Sequence, residues 1–100
     1  MQTIKIAEVI EATGGKLLSG SMDDCFDCIG KDSRAVKQGM LYVAIKGETF
    51  DGNKYAQSAM ENGAMGCLVS EKVESDKAVV LVEDTIVALG KLAKYYRNKF

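Results

Sequence analysis

Apolar residues recur along this chain in two rhythms. Ile6, Val9, Ile10 and Thr13 stand at i, i+3, i+4 and i+7, the spacing of one helical face. Thr3 is placed to cap the start of that helix and Gly14 to stop it. Lys16 to Ser19 reads as a brief strand, and after a Gly/Ser/Asp turn Cys25 to Ile29 reads as a second strand of mixed pattern. Met40 to Ile45 is then six apolar residues without alternation, the pattern of a strand covered on both faces, and Gly47 ends it.

Beyond the polar stretch Glu48 to Gly52, Tyr55, Ala56, Ala59 and Met60 recur at helical spacing, with Asp51 at the N-cap side and Asn62-Gly63 closing the helix. Gly66 to Ser70 and Ala78 to Val82 are two further apolar strands. The first completes a βαβ unit, which predicts parallel pairing. From Asp84 onward Ile86, Leu89, Ala93 and Tyr96 trace one face of a last helix, and Lys91, Lys94 and Arg97 the other. Glu83 and Asp84 at its start and Arg97 and Lys99 at its end suit the helix dipole. The predicted architecture is one α/β domain, a mostly parallel or mixed sheet of about five strands with three helices.

Composition narrows the functional classes. An apolar fraction of 47% and a charged fraction of 27% are those of an ordinary globular protein. Thirteen basic against fourteen acidic residues leave a net charge of -1, so no overall field gathers nucleic acid or an anionic membrane. No apolar run approaches the roughly 20 residues of a membrane span, and the start Met1-Gln2-Thr3-Ile4-Lys5 lacks the apolar core of a signal peptide. A cytoplasmic protein is expected. Three cysteines, an odd number, and no histidine argue against a disulfide framework and against the commonest metal ligand and general base.

Ligands of open α/β sheets collect beyond the carboxyl ends of the strands. Two polar loops qualify: Lys31-Asp32-Ser33-Arg34, and Glu48-Thr49-Phe50-Asp51-Gly52. Between them they offer hydroxyls, cations, an aromatic ring and the amides of a helix N-terminus, a cradle suited to a nucleotide diphosphate. Each also has a plainer reading, Asp32-Ser33 as a turn and Asp51 as an N-cap. Cys25 and Cys28 form a CxxC, but residues three apart on a strand point to opposite faces and Cys67 is the one further thiol, so structural thiols are expected and no metal. Neither GxxxxGK[ST] nor GxGxxG occurs.

The run DSRAVKQGMLYVAIKGETFDGNKYAQSAMENGAMGCLVSE, Asp32 to Glu71, resembles the N-terminal domain of the Mur ligases: DSR, a short basic stretch, Gly, a hydrophobic strand ending in Gly, a DG pair, then a helix leading to Gly-Ala and another strand. Asn53, where a histidine is common in the family, and Met40, where an acidic residue is usual, depart from it. Within the family, the KGETFDG loop and the segment from Val82 to Phe100 look like the branch that adds D-alanyl-D-alanine to the peptidoglycan precursor. The branch adding the third-position diamino acid is the alternative, and a stand-alone nucleotide- or protein-binding module is another.

The resemblance implies that this domain holds the UDP end of UDP-N-acetylmuramoyl-peptide. Lys31, Asp32, Ser33 and Arg34 with Glu48, Thr49, Phe50, Asp51 and Gly52 form the candidate site, with no catalytic residue among them. It further implies that ATP and Mg²⁺ are handled by the enzyme's central and C-terminal domains, which with the substrate are this domain's expected partners. The chain ends at Phe100, ahead of the expected phosphate loop, so catalysis by these 100 residues alone is not expected.

Overall fold

The computed structural model describes residues 3–46 and 51–99. The strands are β1 (Ile4–Lys5), β2 (Lys16–Ser19), β3 (Cys25–Phe26), β4 (Cys28–Gly30), β5 (Met40–Val43), β6 (Gly66–Val69) and β7 (Ala78–Leu81). The helices are α1 (Ile6–Thr13), α2 (Ala56–Glu61), which follows a 3₁₀ turn over Gly52–Tyr55, and α3 (Thr85–Lys99). Five strands form one sheet in the order β2-β7-β6-β5-β4, and β1 with β3 forms a separate two-stranded ribbon. β4, β5, β6 and β7 are parallel; β2 joins β7 antiparallel at the edge. The expected α/β domain with a five-stranded mixed sheet and three helices is the observed one.

Every residue of β5 and β6 is buried, because the sheet carries helices on both faces. Alternation divides the side chains: Leu41, Val43, Leu68 and Val80 face α1 and α3, joining Ile6, Val9, Ala88 and Leu92. Tyr42, Cys67, Val69 and Val79 face α2 and meet Ala56, Ala59 and Met60. The uninterrupted apolar runs are therefore the sum of two alternating faces.

Three local readings are corrected. Thr3 does not cap α1: Ile4–Lys5 is extended and pairs with Cys25–Phe26, which buries Ile4 and Phe26. The first amides of α1 are satisfied instead by backbone, Ile6 N–H donating to the Asp24 carbonyl at 2.8 Å and Ala7 N–H to that of Met22 at 3.0 Å. Gly14 does close the helix, in the left-handed conformation at φ 73° that costs glycine little. The strand expected over Cys25 to Ile29 is two strands broken at Asp27, the first pairing with β1 and the second with β5.

The buried face of α3 is Thr85, Ala88 and Leu92, one residue out of phase with the expected one. Ile86 is 55% and Val87 52% exposed, and Ala93 is exposed, while Leu89 and Tyr96 pack against the core as expected. The small Ala88 brings α3 close to the sheet. α1 and α3 run antiparallel, the Thr13-Gly14 end of α1 lying beside Val87 and Lys91 and Glu8 beside Tyr95 and Lys99. Asp84 caps α3, accepting from the amides of Ile86 at 2.9 Å and Val87 at 3.2 Å.

Two polar contacts join distant segments. The buried Tyr42 hydroxyl donates to the Gly52 carbonyl at 2.9 Å, and burial pushes that phenol up to about 12. Glu8 accepts from the Lys99 ammonium, from the Lys5 amide at 2.8 Å and from the Tyr95 hydroxyl at 2.9 Å. These bonds, Lys99's foremost, hold its carboxyl down at about 2.

Tyr42→Phe leaves the Gly52 carbonyl without its donor and is expected to cost about 0.5–1.5 kcal/mol, read as a lower urea midpoint at unchanged slope. Glu8 is more acidic folded than unfolded, so its stabilisation is complete above its ordinary value of 4.5 and disappears as pH falls toward about 2. The stability difference between the wild type and Glu8→Gln should therefore be present at neutral pH and shrink through that window. A difference independent of pH would contradict the role given to Glu8.

Candidate functional site

The loop after β4 and the segment after β5 leave the sheet at the same edge, because both strands are parallel. A cleft of about 670 Å³ opens there, lined by Lys31, Asp32, Ser33 and Arg34 on one side and by Ile45, Tyr55, Ser58 and Asn62 on the other. Val36 packs into the core beneath α2, which anchors the first wall against the same face of the sheet. The predicted loop 31–34 thus stands whole in one cleft.

Asp32 organises that loop. Its carboxylate accepts from the Arg34 amide at 2.9 Å and from the guanidinium at 3.1 and 3.3 Å, which holds its acidity below the usual carboxylate range. The guanidinium is 90% exposed, so the pair is screened and free to rearrange. Ser33 is half-buried, and its hydroxyl makes none of the hydrogen bonds found among the described residues. Lys31 is exposed on the same wall. Both expected readings hold at once here, a turn that also lines a cleft.

The second predicted loop divides differently. Gly47, expected to end the strand, and Glu48, Thr49 and Phe50 lie outside the described residues. Asp51 and Gly52 do not line the cleft; both serve the backbone. Asp51 bridges back to Lys46 and accepts from the Asn53 amide at 3.0 Å, the expected N-cap, though of a 3₁₀ turn. Gly52 is buried, its amide donating to the Ile45 carbonyl at 2.8 Å. A Cβ there would stand 2.8 Å from the Ile45 nitrogen, so no side chain fits.

Asn53 ties this turn to the next strand. Its side-chain oxygen accepts from the Ser70 amide at 3.0 Å, and its amide donates to Asp51 at 2.9 Å and to the Ser70 hydroxyl at 3.0 Å. Glu71 lies 3.4 Å from the same nitrogen and pairs with Lys46 at 3.5 Å. The amides of Gly52, Asn53 and Lys54 are all engaged within the fold. The expected phosphate contact from this helix start is thereby occupied from within.

Tyr55, Ser58 and Asn62 are the cleft residues that residue-type reasoning did not single out. Tyr55 reads from sequence as part of the core face, yet it is 44% exposed, because the core takes Ala56, Ala59 and Met60 instead. Their spacing of three and then four is the signal that a second face of the helix is organised.

The family model described as "Mur ligase family, catalytic domain" matches residues 26–97. The chain belongs to the Mur ligase family. It is 32% identical over 99 residues to the UDP-N-acetylmuramoyl-tripeptide--D-alanyl-D-alanine ligase of Escherichia coli, covering 99% of this chain and 22% of that protein. To the UDP-N-acetylmuramoyl-L-alanyl-D-glutamate--2,6-diaminopimelate ligase of Aquifex aeolicus it is 44% identical over 68 residues, 68% of this chain and 14% of that one. Among solved structures, MurF from Acinetobacter baumannii superposes with a TM-score of 0.85 at 26% identity over 99% of this chain and 22% of that chain. A MurF ligase of Thermotoga maritima solved with ADP gives 0.66 at 32% identity over 72% and 17%. The chain thus spans about a fifth or less of the length of these Mur ligases.

No helix among the described residues is long and apolar enough to cross a membrane. The two cysteines of the CxxC sit on different strands, Cys25 exposed and Cys28 half-buried, with Cys67 buried, and all three are free thiols. Burial pushes Cys67 up to about 12 and, with the neighbouring Asp27, raises Cys28. Alkylation of the native protein at pH ~8 should therefore label Cys25 first, Cys28 more slowly and Cys67 only on unfolding. Peptide mapping after timed quenching reads the order, and labelling of Cys67 at the rate of Cys25 would contradict the packing.

Proposed function

We propose that this chain is the N-terminal substrate-binding domain of a cytoplasmic Mur ligase that adds D-alanyl-D-alanine to UDP-N-acetylmuramoyl-tripeptide in peptidoglycan precursor synthesis. The observation that carries the proposal is the cleft, in which the loop 31–34 brings a half-buried hydroxyl and a cation to the carboxyl ends of parallel strands. That is where α/β sheets take nucleotides. In this reading Ser33 and Lys31 hold the diphosphate of the UDP group, Asp32 shapes the turn, and Arg34 exchanges its Asp32 partner for phosphate. Glu48, Thr49 and Phe50 belong to the proposed site by resemblance; Asp51 and Gly52 support it by fixing the backbone beside it.

Likeness to D-alanyl-D-alanine ligases over nearly the whole chain favours that specificity. The higher identity to a diaminopimelate ligase over a shorter stretch supports a second reading, the same domain of a diamino-acid-adding ligase. ATP and Mg²⁺ would serve the complete enzyme by activating the peptide carboxylate. No phosphate loop lies in this sequence, so we place both beyond these residues, in the central and C-terminal domains that would be this domain's partners.

An NMR titration of the domain with UDP should shift the amides of residues 31–34. Ser33→Ala should weaken binding by about 0.5–1.5 kcal/mol, the value of one hydrogen bond, while melting at the wild-type temperature. Shifts that avoid residues 31–34, or full affinity in the variant, would refute the assignment.

A further inference from the structure

The wall of the cleft opposite the loop 31–34 has a chemistry of its own. Tyr55, Ser58 and Asn62 are all exposed and all line it, while the residues between them on the other face, Ala56, Ala59 and Met60, are buried against the sheet. At 1.5 Å of rise per residue the stripe from 55 to 62 is roughly 10 Å long, about the length of a nucleoside. It presents an aromatic ring, a hydroxyl and a carboxamide, with no charged group among the three. The cations, Lys31 and Arg34, are confined to the facing wall. The cleft is therefore polarised across its width, one wall cationic and one neutral, aromatic and hydrogen-bonding.

We infer that the Tyr55, Ser58 and Asn62 stripe is the nucleoside-reading wall of the cleft: the base and ribose lie along α2, and the diphosphate faces the loop 31–34. The inference rests on the nucleotide reading proposed above and deepens it by assigning ligand contacts to three residues outside the two loops. The physical reasons are two. A base is an uncharged, planar group that gains from an aromatic neighbour and from neutral donors and acceptors, which this wall supplies. A diphosphate gains from cations and hydroxyls, which the other wall supplies. Ser58 and Asn62 support no core contact, so the fold alone gives no reason for a polar stripe facing the loop 31–34.

Two ligands and four variants test this. UDP should shift residues 55–62, including the Asn62 side-chain amide, together with 31–34; inorganic pyrophosphate should shift 31–34 alone. Ser58→Ala and Asn62→Ala should each lower UDP affinity about fivefold, the equivalent of one hydrogen bond, and leave pyrophosphate affinity unchanged. Tyr55→Leu should lower UDP affinity similarly and Tyr55→Phe should restore it, which separates a ring contact from a hydroxyl contact. Melting temperatures equal to wild type exclude misfolding as the cause, as expected for exposed positions. If UDP shifts 31–34 but the Ser58, Asn62 and Tyr55→Leu variants bind it normally, the stripe inference fails and the cleft reading stands. If UDP shifts neither wall, both fail.

Discussion

Parallel pairing of β4, β5, β6 and β7 is the constraint from which the rest of this domain follows. Parallel strands need crossover connections, and crossovers place cover on both faces of β5 and β6, whose residues are all buried. The same constraint sends the chain out of β4 and β5 at one edge, so the loop 31–34 and the start of the α2 segment become neighbours there. Small residues complete the arrangement: Ala56, Ala59 and Ala64 let α2 lie close on Tyr42, Cys67 and Val79. The outer face of α2 can then form the second wall of a cleft whose first wall is held by Val36.

Polar groups near this edge fall into two sets with different energetics. Asp51, Asn53, Ser70, Glu71 and Lys46 bond to one another and to backbone, so each is largely satisfied before any ligand arrives. Drawing a contact from them means breaking one that exists, and the net gain of the exchange is small. Ser33, Lys31, Ser58 and Asn62 face the cleft instead, where a ligand replaces water. Polar side chains committed to water yield more readily than those committed to structure, which is why the cleft, rather than the whole of both predicted loops, carries the proposed site.

Much of this was legible in the residues. The strands over Met40–Val43, Gly66–Val69 and Ala78–Leu81 are apolar without interruption, and two-sided burial is the reason. The errors have equally local causes. Ile86 and Val87 mimic a core face on α3, whereas the helix turns Ala88 inward, where closeness to the sheet outweighs side-chain size. Thr3 has the right chemistry for a cap, but burying Ile4 against Phe26 draws the chain into a strand first. Asp27 interrupts the expected Cys25 to Ile29 strand, and the two halves find different partners. Ser33 in its DSR was legible through motif spacing; Ser58 and Asn62 were not, since polar residues on an amphipathic helix read as its wet face until the fold sets a loop opposite them.

A domain that binds without reacting still matters to a reaction at a distance. On the proposed reading, the UDP end of the substrate is remote from the carboxylate that reacts, so contacts made here are equal in ground and transition states. They act by lowering KM and by positioning, and raise kcat only where they help to fix the reacting end. A rigid scaffold serves that purpose better than an adaptable one. In this chain the clasp through Asn53, the Tyr42 bond to Gly52 and the close fit of Gly52 against Ile45 all stiffen the segment that leads into α2. Stiffness there reduces the ordering cost of binding, so the polar network that takes no part in the cleft contributes to affinity by holding its second wall in place.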